Sequence, residues 1–380
     1  MMNVLFITNI PSPYRVEFFN ELGKHCNLTV WFEAESESNR QWNVDKQAMN
    51  FTSEFLKGIT VGIDKHVNWS IIKLLKKSKF DIYVLGCYSS PTEMAAIRWL
   101  KSNKIPFLLN SDGGFVAEEN KMKYKLKKYF ISSATGWLSS GSHCTQYLIH
   151  YGADPKFIYE YPFSSLTYNE IELSPMPPQR LKEFKLKERL KQKVILSVGQ
   201  FIPRKNFSEI IESFSSLDNG ETSLVIVGGG PLKEEYYKII RDYRLKNVII
   251  KDFMSREQLI EFYKAADLFI LPTRYDVWGL VINEAMTFGL PVVTTTGAGA
   301  AYSLIENGSN GFVVEASDIG GLIHKCKFLL EHDSIRQEFG AASLIKSKSY
   351  TIKQMASRHM EWFDAFLETP SVNRDAELIG

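Results

Sequence analysis

Short apolar runs recur along the chain, and between them lie stretches whose apolar positions follow helical spacing. In the first half the runs cover 3–8, 27–32, 81–86, 106–111, 136–140 and 156–161; in the second half they cover 193–199, 223–229, 247–253, 267–273, 291–296 and 311–315. They are near-continuous and rich in β-branched residues, as strands buried on both faces must be. Helical patterns such as 206–217 and 255–266 fall between them. Strand–helix alternation at this spacing predicts βαβ units and parallel sheets. Two such series predict an α/β chain of two doubly wound domains. Ligands of such sheets sit beyond the carboxyl ends of the strands, so a cleft with the two domains facing each other is the default site.

The stretch 168–193 is charged and carries Pro175, Pro177 and Pro178, which stiffen a connection and break regular structure. The reading is a first domain over 1–178, a second over 179–348, and a tail over 349–380. Within the tail, 349–368 has apolar residues at helical intervals.

Composition narrows the class of function. A length of 380 residues suits two domains. A formal charge of +2 argues against a dedicated nucleic-acid binder, so no nucleic-acid partner is expected. Cys26, Cys87, Cys144 and Cys326 are scattered and read as thiols in a reducing compartment. The first residues lack the cationic segment of a leader and read as a first strand. No stretch approaches the roughly 18–20 apolar residues that span a bilayer. A cytoplasmic protein is expected, with any membrane contact peripheral on the cytoplasmic face. The basic run 121–131 is either a solvated helix face or a contact with anionic lipid, at about 1 kcal/mol per cation. His66, His143 and His150 have no ligand spacing and no Asp-X-Asp pair occurs, so neither a metal nor a resident cofactor is expected.

Three strand ends carry candidate chemistry. After 193–199, Gly199 allows a tight turn, and Arg204 and Lys205 precede a helix that Asn206 is placed to cap. Two cations with free backbone N–H groups suit a diphosphate; a solvated surface loop is the plain alternative. After the next strand, three glycines ending at Gly230 precede Pro231, which fits the first turn of a helix. No Lys-Ser/Thr pair follows, so this is not a Walker P-loop. After 267–273, a loop holds Asp276, Val277 and Trp278, and a helix opens at Gly279 and Leu280 and carries Glu284. Carboxylates repel phosphate, yet each accepts two hydroxyl protons from a vicinal diol. A ligand with a central diphosphate and a sugar at each end, a nucleotide-sugar, accounts for both. The plain alternative is a helix-start Asp with a solvated Glu.

The order of these motifs carries a resemblance. Through "VGQFIPRKN", "VGGGPLKEEY", "DFMSREQLIEFYKAADLFILPT", "DVWGLVINEAMTFGLPVVTT" and "LIENGSNGFVV", the segment 193–330 resembles the family-4 retaining glycosyltransferases of the GT-B fold. The resemblance implies that Lys205, with Arg204, neutralises a leaving diphosphate, that Asp276 contacts the transferred sugar, and that Glu284 contacts the ribose. Phe253 and Met254 would line the base pocket, and Gly199, Gly230, Pro231, Val277, Trp278, Gly279 and Leu280 the rest of the donor site. Asp276 stands where the family usually has Glu, and Gln200 where it often has Arg.

The segment 9–22 looks like a subgroup that opens with a Pro-Ser-Pro-Tyr-Arg loop. Within Pro13, Tyr14 and Arg15, the arginine would reach the diphosphate or an acceptor phosphate and the tyrosine would stack on a sugar; packing and capping are the alternative. Asp112, after Ser111 at a strand end, would orient an acceptor hydroxyl or assist its proton transfer; a simple Asp-Gly turn is the alternative. The resemblance implies retaining, metal-independent transfer of a hexose-type sugar from a nucleotide-sugar co-substrate to a saccharide hydroxyl, free or lipid-linked. Bacterial surface polysaccharide or glycoconjugate synthesis is the implied setting. The tail helix would cross back to the first domain. A nucleotide-sugar epimerase of the same fold and a catalytically silent nucleotide-sugar-binding subunit remain alternatives.

Overall fold

Each of the twelve apolar runs holds a strand in the computed structural model, which describes residues 1–37, 46–62, 64–167, 171 and 175–368. The chain forms two compact units. The first is Met1–Ser165 with Thr351–Gly380; the second is Leu166–Tyr350. These limits compare with 178 and 348 read from the sequence. Leu166, Ile171 and Met176 are buried and group with the second unit. Residues 168–170 and 172–174 of the proline-bearing connection, and 369–380 of the tail, lie outside the described residues.

The first unit runs β1 (Asn3–Thr8), α1 (Pro13–Leu22), β2 (Asn27–Phe32), β3 (Thr52–Phe55), β4 (Ile59–Val61), β5 (Lys65–Val67), α2 (Ile71–Lys77), β6 (Ile82–Leu85), α3 (Pro91–Ser102), β7 (Leu108–Ser111), α4 (Lys121–Ile131), β8 (Gly136–Ser139), α5 (Ser142–His150) and β9 (Ile158–Glu160). Its seven-stranded sheet has the order β3-β2-β1-β6-β7-β8-β9, and every pairing is parallel. Leu5 pairs with Thr29 on one side and Tyr83 on the other. The chain fills one side of β1 and then returns to the other, so the direction of winding reverses between β1 and β6.

The second unit runs α6 (Pro178–Lys187), β10 (Lys193–Val198), α7 (Phe207–Ser213), β11 (Thr222–Val227), α8 (Lys233–Asp242), β12 (Val248–Lys251), α9 (Arg256–Ala265), β13 (Leu268–Leu271), α10 (Leu280–Thr287), β14 (Val292–Thr295), α11 (Ala301–Leu304), β15 (Gly311–Val314), α12 (Ile319–Glu331) and α13 (Asp333–Ser347). Its sheet order is β12-β11-β10-β13-β14-β15, again wholly parallel. Here the winding reverses between β10 and β13. A last helix, α14 (Ile352–Leu367), belongs to the first unit and packs on α1.

The strand runs read as continuous because helices cover both faces. On one face of the first sheet, Phe18 and Phe19 of α1 pack edge-on against Phe6, and α14 adds Phe363. On the other, Ile71, Ile97, Leu100, Phe130 and Leu148 join Leu5, Leu85 and Leu109. Burying each such side chain contributes about 1.5–3 kcal/mol. Strands β3, β4 and β5 escape the sequence pattern for local reasons. β3 is a polar edge strand, and β4 and β5 form a three-residue antiparallel hairpin too short to show a period.

Two helix starts differ from expectation. Asn206 does not cap α7 with its side chain; its backbone is left-handed at φ 59° and its Nδ2 donates to Glu209 at 2.9 Å. Pro231 lies before α8, which opens at Lys233. The start of α9 carries a full capping box between Ser255 and Gln258.

Acids gather at the carboxyl ends of β2 and β6. Glu33 follows β2 and accepts the Ser90 hydroxyl at 2.5 Å; Glu93, in the first turn of α3, accepts the Cys87 N–H at 3.0 Å and the Cys87 thiol. Burial, then the neighbouring Glu93 charge, pushes the Glu33 carboxyl well above its ordinary 4.5. A carboxyl raised in the folded state stabilises the fold below its unfolded pKa, and that stability is lost as pH climbs through the folded value. Glu33→Gln is therefore expected to raise the melting temperature by several degrees at pH 8, on the order of 2 kcal/mol. The gain should vanish near pH 4, and an equal gain at both pH values would refute the assignment.

Candidate functional site

The reversal point of the second sheet gathers the sequence-named side chains. Where β10 and β11 end, their glycine turns are stitched together: Gly199 N–H donates to Val227 O at 3.0 Å, and Phe201 N–H to Gly229 O at 2.8 Å. The chain then makes one tight turn over Pro203–Lys205. The Arg204 carbonyl accepts the Arg274 N–H at 2.8 Å and the Thr273 hydroxyl at 2.9 Å, which fastens this turn to the loop after β13.

That fastening sets two cations against one acid. Lys205 is buried, and its ammonium pairs with Asp276 Oδ2. Arg204 Nη1 stands 3.4 Å from Asp276 Oδ1 and donates to the Tyr275 carbonyl at 2.9 Å. Unlike Lys205, the Arg204 side chain is 39% exposed. Asp276 thus pairs with the same two cations that the sequence reading assigns to a diphosphate.

The loop after β14 clamps the Asp276 backbone, which the sequence reading missed. Asp276 N–H donates to Gly297 O at 2.8 Å, and Gly299 N–H donates back to Asp276 O at 3.0 Å. Ala300 N–H caps the Trp278 carbonyl at 2.9 Å. A Cβ on Gly299 would lie 2.1 Å from Val277 O, so this approach needs glycine. The small-residue run 297–301 is the one signal of it in the sequence.

Helix α10 opens at Gly279, whose φ of 102° few L-residues adopt. Ile282 N–H donates to Gly279 O at 2.8 Å, and the earliest N–H groups of a helix have no intrahelical acceptor. Val277 is half-buried; Trp278 is buried and donates its indole N–H to Asn283 Oδ1 at 2.8 Å, so its side chain serves packing. Glu284 lies one turn further in and accepts the Tyr263 hydroxyl at 2.9 Å. Gly230 and Pro231 complete the turn after β11. Phe253 and Met254 follow β12 at the sheet edge, and Phe253 is 67% exposed.

In the first unit, Pro13, Tyr14 and Arg15 form the first turn of α1 rather than a loop. Arg15 is 4% exposed and pairs through Nη2 with Asp112. Asp112 Oδ1 also accepts the Tyr161 hydroxyl at 2.9 Å and the Asn110 amide at 3.1 Å. Burial opposes the Arg15 charge, but Asp112, Tyr14 and Tyr161 together outweigh it and raise the pKa. Tyr14 meets Phe163 edge-on at 5.9 Å. His359 of α14 reaches this network, with Nε2 3.3 Å from Asn110 Oδ1 and Nδ1 2.8 Å from Met355 O. Burial pushes His359 down to about 4, so it is neutral at physiological pH. A lone histidine in a tail helix carries no sequence signal of this contact.

The basic run forms α4. Phe130 and Ile131 turn inward, while Met122, Leu126 and Tyr129 make an exposed stripe at i, i+4 and i+7 among the lysines. Among the described residues, no helix is long and apolar enough to cross a membrane.

Residues 178–344 match the family model described as "Glycosyl transferases group 1". The chain is 29% identical over 273 residues to an Escherichia coli UDP-Gal:alpha-D-GlcNAc-diphosphoundecaprenol alpha-1,3-galactosyltransferase, covering 67% of each chain. It is 26% identical over 177 residues to an uncharacterized glycosyltransferase of Haemophilus influenzae, covering 46% of this chain and 49% of that protein. This match thus spans about half of the relative's length. The crystal structure of Anabaena HepE in complex with UDP superposes with a TM-score of 0.76 at 15% identity, over 96% of this chain and 100% of that one. At that identity the likeness shows the fold, which is GT-B.

Proposed function

We propose, from the premise that the chain carries a group 1 glycosyl transferase domain on a GT-B fold, that it moves a sugar from a nucleotide-sugar to a hydroxyl of a saccharide acceptor. The observation that carries this reading is the pairing of Lys205 and Arg204 with Asp276 at the mouth of α10. Two cations beside a helix N-terminus suit a diphosphate, and an acid already held there by charge is positioned to accept hydroxyls once the diphosphate takes its place. Glu284, one turn along, is assigned to the ribose. HepE, a fold neighbour, was crystallised with UDP, which supports a nucleoside diphosphate as ligand.

In this reading the bond between the sugar's anomeric carbon and the diphosphate oxygen breaks, and the acceptor oxygen forms the new bond on the same face. The acceptor proton passes to the departing phosphate, and attack on the face the leaving group vacates retains the configuration. Lys205, Arg204 and the α10 N–H groups stabilise charge growing on the leaving group, in the manner of an oxyanion hole. Asp276 holds sugar hydroxyls and is not a nucleophile. Asp112, held by Arg15, Tyr161 and Asn110, orients the acceptor hydroxyl. The nucleotide-sugar is a co-substrate, and no resident cofactor or metal is invoked.

The acceptor is assigned as lipid-linked. The E. coli relative is described as acting on a diphosphoundecaprenol-linked sugar. The exposed Met122, Leu126 and Tyr129 among the α4 lysines suit an anionic membrane surface. The test is a melting screen against UDP-, ADP- and GDP-sugars, followed by a transfer assay on the hit with saccharide acceptors. A ligand at 100 times its Kd raises stability by about 2.7 kcal/mol. No shift with any of these donors would end the proposal. Interconversion of the donor without an acceptor would favour an epimerase, and binding without transfer a silent subunit. In the same preparation, flotation with anionic but not neutral vesicles is expected, and equal flotation with both would remove the lipid assignment of α4.

A further inference from the structure

Tyr263 is 2% exposed on the inner face of α9, whose capping box fixes where that face points. Its ring lies parallel to Phe288, with centroids 5.2 Å apart and planes at 6°, and tilted against Phe269 at 6.0 Å. Its hydroxyl donates to Glu284 Oε2 at 2.9 Å. Glu284 lies inside α10, and Phe288, four residues on, is its C-cap residue. One tyrosine therefore grips the helix by a hydrogen bond and its C-terminal cap by stacking. A phenylalanine would fill the same space, so packing alone does not call for the hydroxyl. A buried phenol needs a polar partner, and the partner here is a carboxylate. Burial, and then the Glu284 charge, raises the Tyr263 pKa, which keeps its proton in place as a donor.

We infer that Tyr263 is a positioning residue that fixes the Glu284 carboxylate for the ribose hydroxyls of the donor, and thereby makes the site prefer ribonucleotides to 2′-deoxyribonucleotides. This rests on the reading of Glu284 as the ribose acid. A carboxylate has about four acceptor sites, enough for the phenol and a vicinal diol together. A charge-assisted hydrogen bond of this kind holds one rotamer, so the diol meets an oriented acceptor rather than one that must be ordered on binding.

The test is titration calorimetry with UDP, ADP or GDP, whichever the melting screen selects, against its 2′-deoxy counterpart. The native chain should bind the ribonucleotide at least about tenfold tighter. Glu284→Gln should erase that preference. Tyr263→Phe should cut it severalfold while leaving the deoxynucleotide affinity nearly unchanged, and should add nothing in the Glu284→Gln background. Phe288→Leu, which loosens the stack but keeps the hydroxyl, should retain the preference. The inference is overturned if Tyr263→Phe weakens both nucleotides equally, if it leaves the ratio unchanged, or if Phe288→Leu reproduces its effect. If the native chain shows no ribose preference, or binds none of the three diphosphates, the assignment of Glu284 itself fails, and this inference with it.

Discussion

Lys205→Ala is expected to lower the rate of sugar transfer about a thousandfold, with most of the loss in kcat. The ammonium is buried and in contact with Asp276, so little solvent screens it. Charge that develops on a leaving diphosphate grows toward the transition state, and a fixed buried cation is worth most there. Arg204→Ala should cost less, because its side chain is more exposed and 3.4 Å from the same acid. Removing Lys205 also leaves Asp276 without its principal counter-charge, so melting curves must accompany the kinetics. A properly folded variant that retains more than a tenth of native turnover would remove Lys205 from the chemistry.

Asp276→Asn separates binding from transfer. Asp276 pairs with both cations. A diphosphate arriving there must displace a carboxylate of its own sign. Asparagine keeps the shape and removes the charge, so nucleoside diphosphate affinity should rise, by about tenfold if one charge-assisted contact is released. Transfer should fall by about 10²–10³, since the amide cannot accept hydroxyls as the carboxylate does. Calorimetry with the nucleoside diphosphate and a transfer assay read the two effects independently. Should affinity fall together with transfer, Asp276 is a structural partner of Lys205 and does not compete with the ligand.

The two largest effects depend on a contact that the sequence names only in part. The residue types were legible: Arg204 and Lys205 after one strand, Asp276 and Glu284 around the start of one helix. Their pairing was not, because Lys205 and Asp276 are 71 positions apart and meet only when β10 and β13 lie side by side. The clamp on Asp276 from Gly297 and Gly299 comes from yet another strand end. Tyr263 falls within the helical pattern 255–266, and its hydroxyl gains meaning only against α10. In the first unit, Arg15 read as a loop residue, either reaching a ligand or serving packing and capping. Pro13 instead starts a helix, and the guanidinium turns inward to Asp112, with His359 arriving from the tail helix.

By itself the sequence determined the twelve main strands, their parallel arrangement in two series, and the residue types at each strand end. A strand buried on both faces must be apolar throughout, and turns must carry the residues their backbone permits, so these features are written locally. Tertiary structure alone decided which side chains meet, which acid is held by which cation, and where the polar edge strand and the short hairpin pair. Those outcomes depend on the order in which strands assemble, and contacts between residues far apart in the chain leave no periodic trace along it.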